Sequence, residues 1–254
     1  MALMQFIVIA LLGLQVLAAS TPGKLTIAGP ADSAVPECFN EQVVKKTECT
    51  DALAKIIYQK DTLSLLETRV TVASGGCFIR VYNNKQVSVT RKQISDTVTK
   101  ILSACRSGRV AIKDNPEVRV WVRPRPQPRN WYTPYDPDFP LEKPFCFQGA
   151  KVVKEDCLEA FKHLPVDKQG LLVSPATKSL DHELNFKVKS CRVTVYTTDG
   201  SKALVKKQDA LAVVTTMMNH CDSQWGTVNI KGAEGPNGHV TIISRTAMGD
   251  ALIP

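Results

Sequence analysis

Cys38-Phe-Asn-Glu-Gln-Val-Val-Lys-Lys-Thr-Glu-Cys49 and Cys146-Phe-Gln-Gly-Ala-Lys-Val-Val-Lys-Glu-Asp-Cys157 decide how this chain is read, because they are one motif written twice. Phe39 answers Phe147, Val44 answers Val152 and Lys46 answers Lys154. Past the second cysteine, Asp51-Ala52-Leu53 answers Glu159-Ala160-Phe161, and the third cysteine opens CFIRVY at Cys77 and CRVTVY at Cys191. The remaining intercysteine gaps, 27 against 33 and 27 against 29 residues, differ by loop-sized amounts. The chain is therefore an internal duplication.

Periodicity places the same elements in both copies. Cys49, Ala52, Leu53, Ile56 and Ile57 recur at helical spacing behind Thr47, a candidate N-cap. Thr90 and Gln93 form a capping box ahead of the stripe Ile94, Val98, Ile101, Leu102 and Cys105, with Gly108 placed to close the helix. Val214, Met217, Met218 and Cys221 repeat that stripe. Arg69-Val-Thr-Val and Cys77 to Tyr82 read as strands about Gly75-Gly76, with residues 187–196 as their counterpart. Residues 110–112 and 118–122 flank an Asn-Pro turn, and 227–230 and 239–243 flank a glycine-rich loop. Each copy thus reads α-β-β-α-β-β. The fold class is α+β: two tandem two-layer sandwiches, each with two helices on one face of a mainly antiparallel four-stranded sheet.

Residues 6–19 form an apolar run, too short to span a membrane, that ends in small residues and reads as a signal peptide. No later stretch is long and apolar enough for a transmembrane helix, so a soluble, secreted protein is expected. Eight cysteines behind such a leader imply disulfides rather than thiols or metal. The expected organisation is signal peptide 1–19, N-terminal segment or short pro-region 20–37, first unit 38–122, proline-rich linker 123–144, second unit 145–245 and tail 246–254. Four cysteines per unit allow three pairings. If the second helix runs back over the sheet, Cys49, Cys77 and Cys105 come to one end of the unit. First-to-fourth with second-to-third is favoured, since Cys49 faces the sheet and Cys105 ends its helix: Cys38–Cys105, Cys49–Cys77, Cys146–Cys221 and Cys157–Cys191.

Seven prolines between Pro124 and Pro144 favour an extended, polyproline-like linker. Arg123 and Arg125 are each followed by proline, whereas Pro128-Arg129 is followed by Asn130, which leaves Arg129 as the one open basic site there. An uncut spacer is the alternative. Packing across one unit is the expected role of Trp131, Tyr132, Tyr135 and Phe139; an exposed ligand for a partner is the other. Charge is uneven. Residues 21–129 hold 18 Lys plus Arg against 10 Asp plus Glu, whereas residues 130–254 hold 14 of each. That excess suits an anionic lipid, an acidic wall polymer or nucleic acid, and the last lacks any supporting motif. A solvated basic surface on a small secreted protein is the simpler reading and is favoured over these.

Catalytic motifs are absent. His163, His182, His220 and His239 lack metal-ligand spacing, no elbow frames a serine, and residues 231–238 lack a phosphate-loop pattern. His220-Cys221-Asp222 suggests a thiol nucleophile, but Cys221 holds the frame position of Cys105 and reads as a disulfide. No Asn-x-Ser/Thr sequon occurs. No cofactor, metal or catalytic residue is assigned.

The two cysteine frames, the stripes ending in Cys105 and Cys221, and Pro128-Arg129 together resemble the virally encoded killer toxins of smut fungi, whose precursors a Kex2-type protease cuts into two small α/β-sandwich chains. Asp156-Cys157 at a helix start is also similar to the necrosis-inducing effectors of fungi. What the resemblance implies is a secreted, non-enzymatic, toxin-like fungal effector that binds a host or competitor cell surface, with an anionic component as partner for its basic first unit. A secreted hydrolase with an unrecognised site is the alternative.

Overall fold

Strict alternation of buried and half-exposed residues along Cys77-Phe-Ile-Arg-Val-Tyr82 makes that stretch a strand with one face in the core, and residues 108–112 and 118–122 alternate in the same way. A computed structural model describes residues 35–40, 43–125 and 133–247. In order, the first copy contains β1 (Glu37–Cys38), α1 (Lys46–Ala54), β2 (Arg69–Ser74), β3 (Cys77–Tyr82), α2 (Arg91–Ala104), β4 (Gly108–Ile112) and β5 (Asn115–Pro124). The second contains β6 (Phe145–Lys151), α3 (Lys154–His163), β7 (Glu183–Val188), β8 (Cys191–Thr197), α4 (Lys207–Cys221), β9 (Gln224–Ile230) and β10 (Val240–Thr246).

Each copy is one antiparallel sheet with the same strand order, β1-β4-β5-β3-β2 and β6-β9-β10-β8-β7. The sheets have five strands, not the four expected, because the stretch around the first cysteine adds an edge strand. Glu37 pairs with Arg109 and Cys38 with Gly108, a contact too short to show as periodicity. Two cores result. In the first, Ile94, Val98 and Ile101 of α2 pack on Ile79, Val81, Val120 and Val122. In the second, Val214, Met217 and Met218 of α4 pack with Phe161 on Val193, Val195, Val228 and Ile242.

Local chemistry sets the helix ends. The Thr90–Gln93 capping box forms as the sequence suggests. Thr47 is not an N-cap: α1 starts at Lys46 after Lys45, without a side-chain cap. Gly108 does not close α2, which ends at Ala104; the glycine opens β4 instead, where a Cβ would meet the backbone carbonyl of Glu37.

The acid before each second cysteine has a structural task. Glu48 accepts the Gly76 amide at 2.7 Å, and Asp156 accepts the amide and hydroxyl of Ser190 at 3.2 and 2.6 Å. Each therefore ties the first helix of its copy to the turn between the next two strands. The hydrogen bonds from Gly76 and from Ser190 hold the two carboxyls below their ordinary pKa. Beside them the cysteines pair as Cys49–Cys77 and Cys157–Cys191, with Cα atoms 5.1 and 5.0 Å apart. Cys38–Cys105 and Cys146–Cys221, both 5.3 Å apart, fasten the edge strand to the second helix. Loop closure over 28 to 75 residues corresponds to about 3.5–4.5 kcal/mol per bridge. All four bridges lie within a copy.

The linker departs from the extended rod expected of it. β5 continues to Pro124, and residues 133–144 fold through successive turns, the Asp136 amide donating to Thr133 and the Phe139 amide to Asp136. This segment roofs the outer face of the second sheet. Asn229 Nδ2 donates to Pro134 O, Phe139 meets Phe145 edge-on, and Tyr135 packs on Phe147. Thr227, Asn229 and Thr241 are thereby fully buried. Trp131, Tyr132, Pro128, Arg129 and Asn130 lie outside the described residues, as do the leader and the tail from residue 248.

Arg125 anchors the roof. Its amide donates to Gly76 O, and its buried guanidinium bonds Asp138 through two nitrogens, at 3.0 and 2.5 Å, and Asp136 at 3.3 Å. Burial lowers its pKa, and the two aspartates outweigh that and raise it. Removing one member of a buried ion pair costs about 3–5 kcal/mol because the partner charge stays desolvated. Arg125→Ala is therefore expected to lower the denaturant midpoint by the equivalent of about 3 kcal/mol, the low end because Asp138 is 33% exposed. A midpoint equal to the parent's would show that the roof does not depend on this pair.

Candidate functional site

The two copies meet along a polar seam. The edge strand β2 and the turn before it face the loops after β8 and before β10. The amides of Thr68 and Arg69 both donate to Asp199 O at 3.0 Å. Glu67 accepts the Asn237 amide at 2.6 Å and its Nδ2 at 3.0 Å, while the Asn237 side chain exchanges hydrogen bonds with both backbone groups of Ile57. Asp199 accepts the Ser201 amide and hydroxyl, and that hydroxyl also accepts from the Gly235 amide. Gly235 and Gly238 are required here, because a Cβ on either would strike the Asp199 carboxylate.

Glu67 and Asp199 are each 1% exposed. Burial is the main reason both carboxyls sit above their ordinary range, Glu67 at about 7, and their mutual repulsion adds to the rise in Glu67. Neither lines the cleft that opens beside them.

Beside the seam opens a cleft of about 180 Å³ lined by Arg69, Thr71, Arg80, Tyr135, Pro137, Tyr196, Thr198, Asn237 and His239. β2 and β3 supply the arginines, β8 supplies Tyr196, the loop before β10 supplies His239, and the linker roof supplies Tyr135. Arg69 Nε donates to Thr198 O at 2.9 Å; Arg80 donates to Thr71 Oγ1 and to the Tyr82 hydroxyl, each at 3.1 Å. No carboxylate lies within ion-pair distance of either guanidinium among the described residues. Burial, and next the charge of Arg80, lower the pKa of Arg69. Burial likewise pushes Tyr196 up to about 12, raises Tyr135, and brings His239 down to about 4. His239 is thus a neutral imidazole, and its Nε2 is buried without a hydrogen-bond partner.

This arrangement suits binding of an anion. Two fixed guanidiniums without a direct ion pair among the described residues, two phenols and one neutral imidazole converge on one space, and only Arg69 feels a nearby carboxylate, that of Asp199. Among the described residues, no three His, Cys, Asp or Glu side chains stand close enough to hold a metal ion.

Of the residues weighed from sequence, His163 stacks on Phe186, His182 sits by Asp181, and Cys221 is bonded to Cys146 rather than poised as a nucleophile. Only His239 enters the cleft. The glycine-rich residues 231–238 form the loop between β9 and β10, but the task of Asn237 there was not foreseen. Glu67, Asp199 and the Arg69–Arg80 pair were also missed, because each belongs to the site only through contact between the copies.

Glu67 and His239 give the seam opposing pH responses. With its folded pKa raised from 4.5 to about 7, Glu67 contributes stability that is complete below pH 4.5 and lost as pH rises to 7. With its folded pKa lowered from 6.5 to about 4, His239 contributes stability that is complete above pH 6.5 and lost as pH falls to 4. Each amounts to about 3 kcal/mol, and between pH 4.5 and 6.5 the two contributions oppose each other. Chemical denaturation should show Glu67→Gln losing stability as pH falls through this window and His239→Gln gaining it. Variant profiles parallel to the parent would contradict this.

No protein-family model matches the chain, and no curated protein is detectably similar. Among solved structures, it is similar to the tandem DUF26 ectodomain of the Arabidopsis thaliana cysteine-rich receptor-like protein PDLP5, at 11% identity and a TM-score of 0.27, over 83% of this chain and 97% of that one. A score this low says nothing about what this chain does. What stands is the architecture of the chain itself: two tandem α+β halves, each stapled by two disulfides.

Proposed function

We propose that the protein is a secreted binding protein of the toxin or effector kind, which captures an anionic component of a host or competitor cell surface in the cleft between its halves. The observation that carries this reading is the pair Arg69 and Arg80, held half-buried by neutral hydrogen-bond partners. Two close guanidiniums that share only the longer-range charge of Asp199 with Arg69 are costly unless an anion completes them. Four disulfides support an oxidising, extracellular destination, and no helix among the described residues is long and apolar enough to cross a membrane. The killer-toxin resemblance supplies the class of activity and, with it, cleavage after Arg129. Because no disulfide joins the halves, the two chains so produced would be held by the seam and by the pairing of Arg125 with Asp136 and Asp138.

The hydrolase alternative needs two carboxylates facing a substrate. Glu67 and Asp199 are the buried pair here, and Gly235, Gly238, Ser201 and Asn237 enclose them away from the cleft.

Labelled protein applied to intact fungal cells and to plant protoplasts at low salt should bind at least one of them. Arg69→Gln and Arg80→Gln should each weaken that binding about tenfold without changing the melting temperature. Unchanged binding by both variants would refute the reading, and glycoside or ester hydrolysis abolished by Glu67→Gln would replace it with the hydrolase.

A further inference from the structure

The outer face of the first sheet is an ordered grid of arginines and aromatic rings. Trp121 stands at its centre on β5. Its cross-strand partners are Arg109 on β4 and Arg80 on β3, and Arg119 and Arg123 lie two residues away on either side. On β3, Phe78 is paired with Arg123 and Tyr82 with Arg119, while Arg69 on β2 lies opposite Tyr82. Basic and aromatic side chains thus alternate both across and along the strands, about 5 Å apart in one direction and about 7 Å in the other. Five arginines share the face with two acids, Glu37, which pairs with Arg109 at 2.8 Å, and Glu117.

The rings hold the charges in place. Arg80 lies 5.0 Å over Phe78 and 5.8 Å over Tyr82, Arg109 lies 5.3 Å over Trp121, and Arg123 lies 5.3 Å over Phe39 and 5.7 Å over Trp121. Phe39 and Tyr82 meet Trp121 edge-on. Guanidiniums ordered in this way lose little further freedom on binding, and the planar fork that a guanidinium offers matches a carboxylate, as Glu37 shows by taking both Nε and Nη2 of Arg109. The corresponding face of the second sheet carries no such grid and lies under the linker roof, which on the first sheet reaches only the Arg69, Thr71 and Arg80 edge through Tyr135 and Pro137.

We infer that this face docks an extended carboxylated polysaccharide, a polymer with one negative group per sugar laid across the arginine grid. A flat array of spaced cations suits a linear polyanion, whose many weak contacts add through effective concentration. A membrane surface would need protruding apolar residues, which the grid lacks. A single-stranded nucleic acid would need bare ring faces for its bases, and here guanidiniums occupy them. The surface is distinct from the cleft, with only Arg69 and Arg80 common to both.

The test is titration of the intact protein with polygalacturonate, with its fully methyl-esterified form and with oligo-deoxythymidine of similar length. Polygalacturonate should bind at least tenfold tighter than either of the others, and more weakly as salt rises. Arg109→Gln combined with Arg119→Gln should lose about tenfold. Arg119→Gln alone changes an exposed side chain and should lose several-fold with the fold intact, so it decides the matter if the double variant does not fold. Equal binding of the methyl ester, or full binding by Arg119→Gln, overturns the inference, and tighter binding of the oligonucleotide gives the face to nucleic acid. Arg109 and Arg119 lie outside the cleft, so this surface and the cleft fail independently.

Discussion

The contact between the Glu67 carboxylate and Asn237 is the interaction on which the architecture of the site depends. It closes a seam in which nearly every bond is polar: two amides on Asp199 O, two on Glu67, and a side-chain amide clasping Ile57. Such a seam is sensitive to geometry in a way that apolar burial is not, because a buried carboxylate that loses its donor keeps its desolvation cost. The halves therefore have one good way to meet. That way sets Arg69 and Arg80 of one copy opposite Tyr196 and His239 of the other.

Duplication supplied two copies of one sheet, and the chain then used them differently. In the second copy Thr227, Asn229 and Thr241 lie buried on the outer sheet face, Thr241 bonded to Asn229 and Asn229 to the linker, so that part of the face became an interior. In the first copy the same face was left with arginines held on rings. Arg125 connects the two outcomes. It leaves the first copy beside Gly76 and draws the linker over the second by pairing with Asp136 and Asp138. Part of the excess of positive charge in residues 21–129 is thus a property of one surface.

Much of the fold was legible in the residues. Period-two strands, the stripe ending in Cys105 and the capping box at Thr90 are local signals, and the repeat checked each of them against a second copy. The fifth strand was not legible, since Glu37 and Cys38 join the sheet only by pairing with β4. The linker was misread as a rod because proline content reports which hydrogen bonds are missing, not the turns that Asp136 stabilises by accepting from Thr133. The site was harder still. Arg80 in CFIRVY and Arg119, Trp121 and Arg123 in RVWVR carried a readable alternation of cation and ring. The meeting of Arg69 and Arg80 with Tyr196 and His239 is a contact between copies that no periodicity encodes.

The central claim is that the two halves form one body through a dry polar seam, so that the cleft exists before any ligand arrives. Native-state hydrogen exchange of the Thr68, Arg69 and Asn237 amides tests it most directly, because these three donate across the seam. Exchange as slow as that of the core amides of β3 and β8, with the same dependence on denaturant, is the result expected of a single cooperative body. Exchange of all three at the rate of exposed loop amides, while both cores stay protected, would mean that the halves move independently and that the cleft is not preformed.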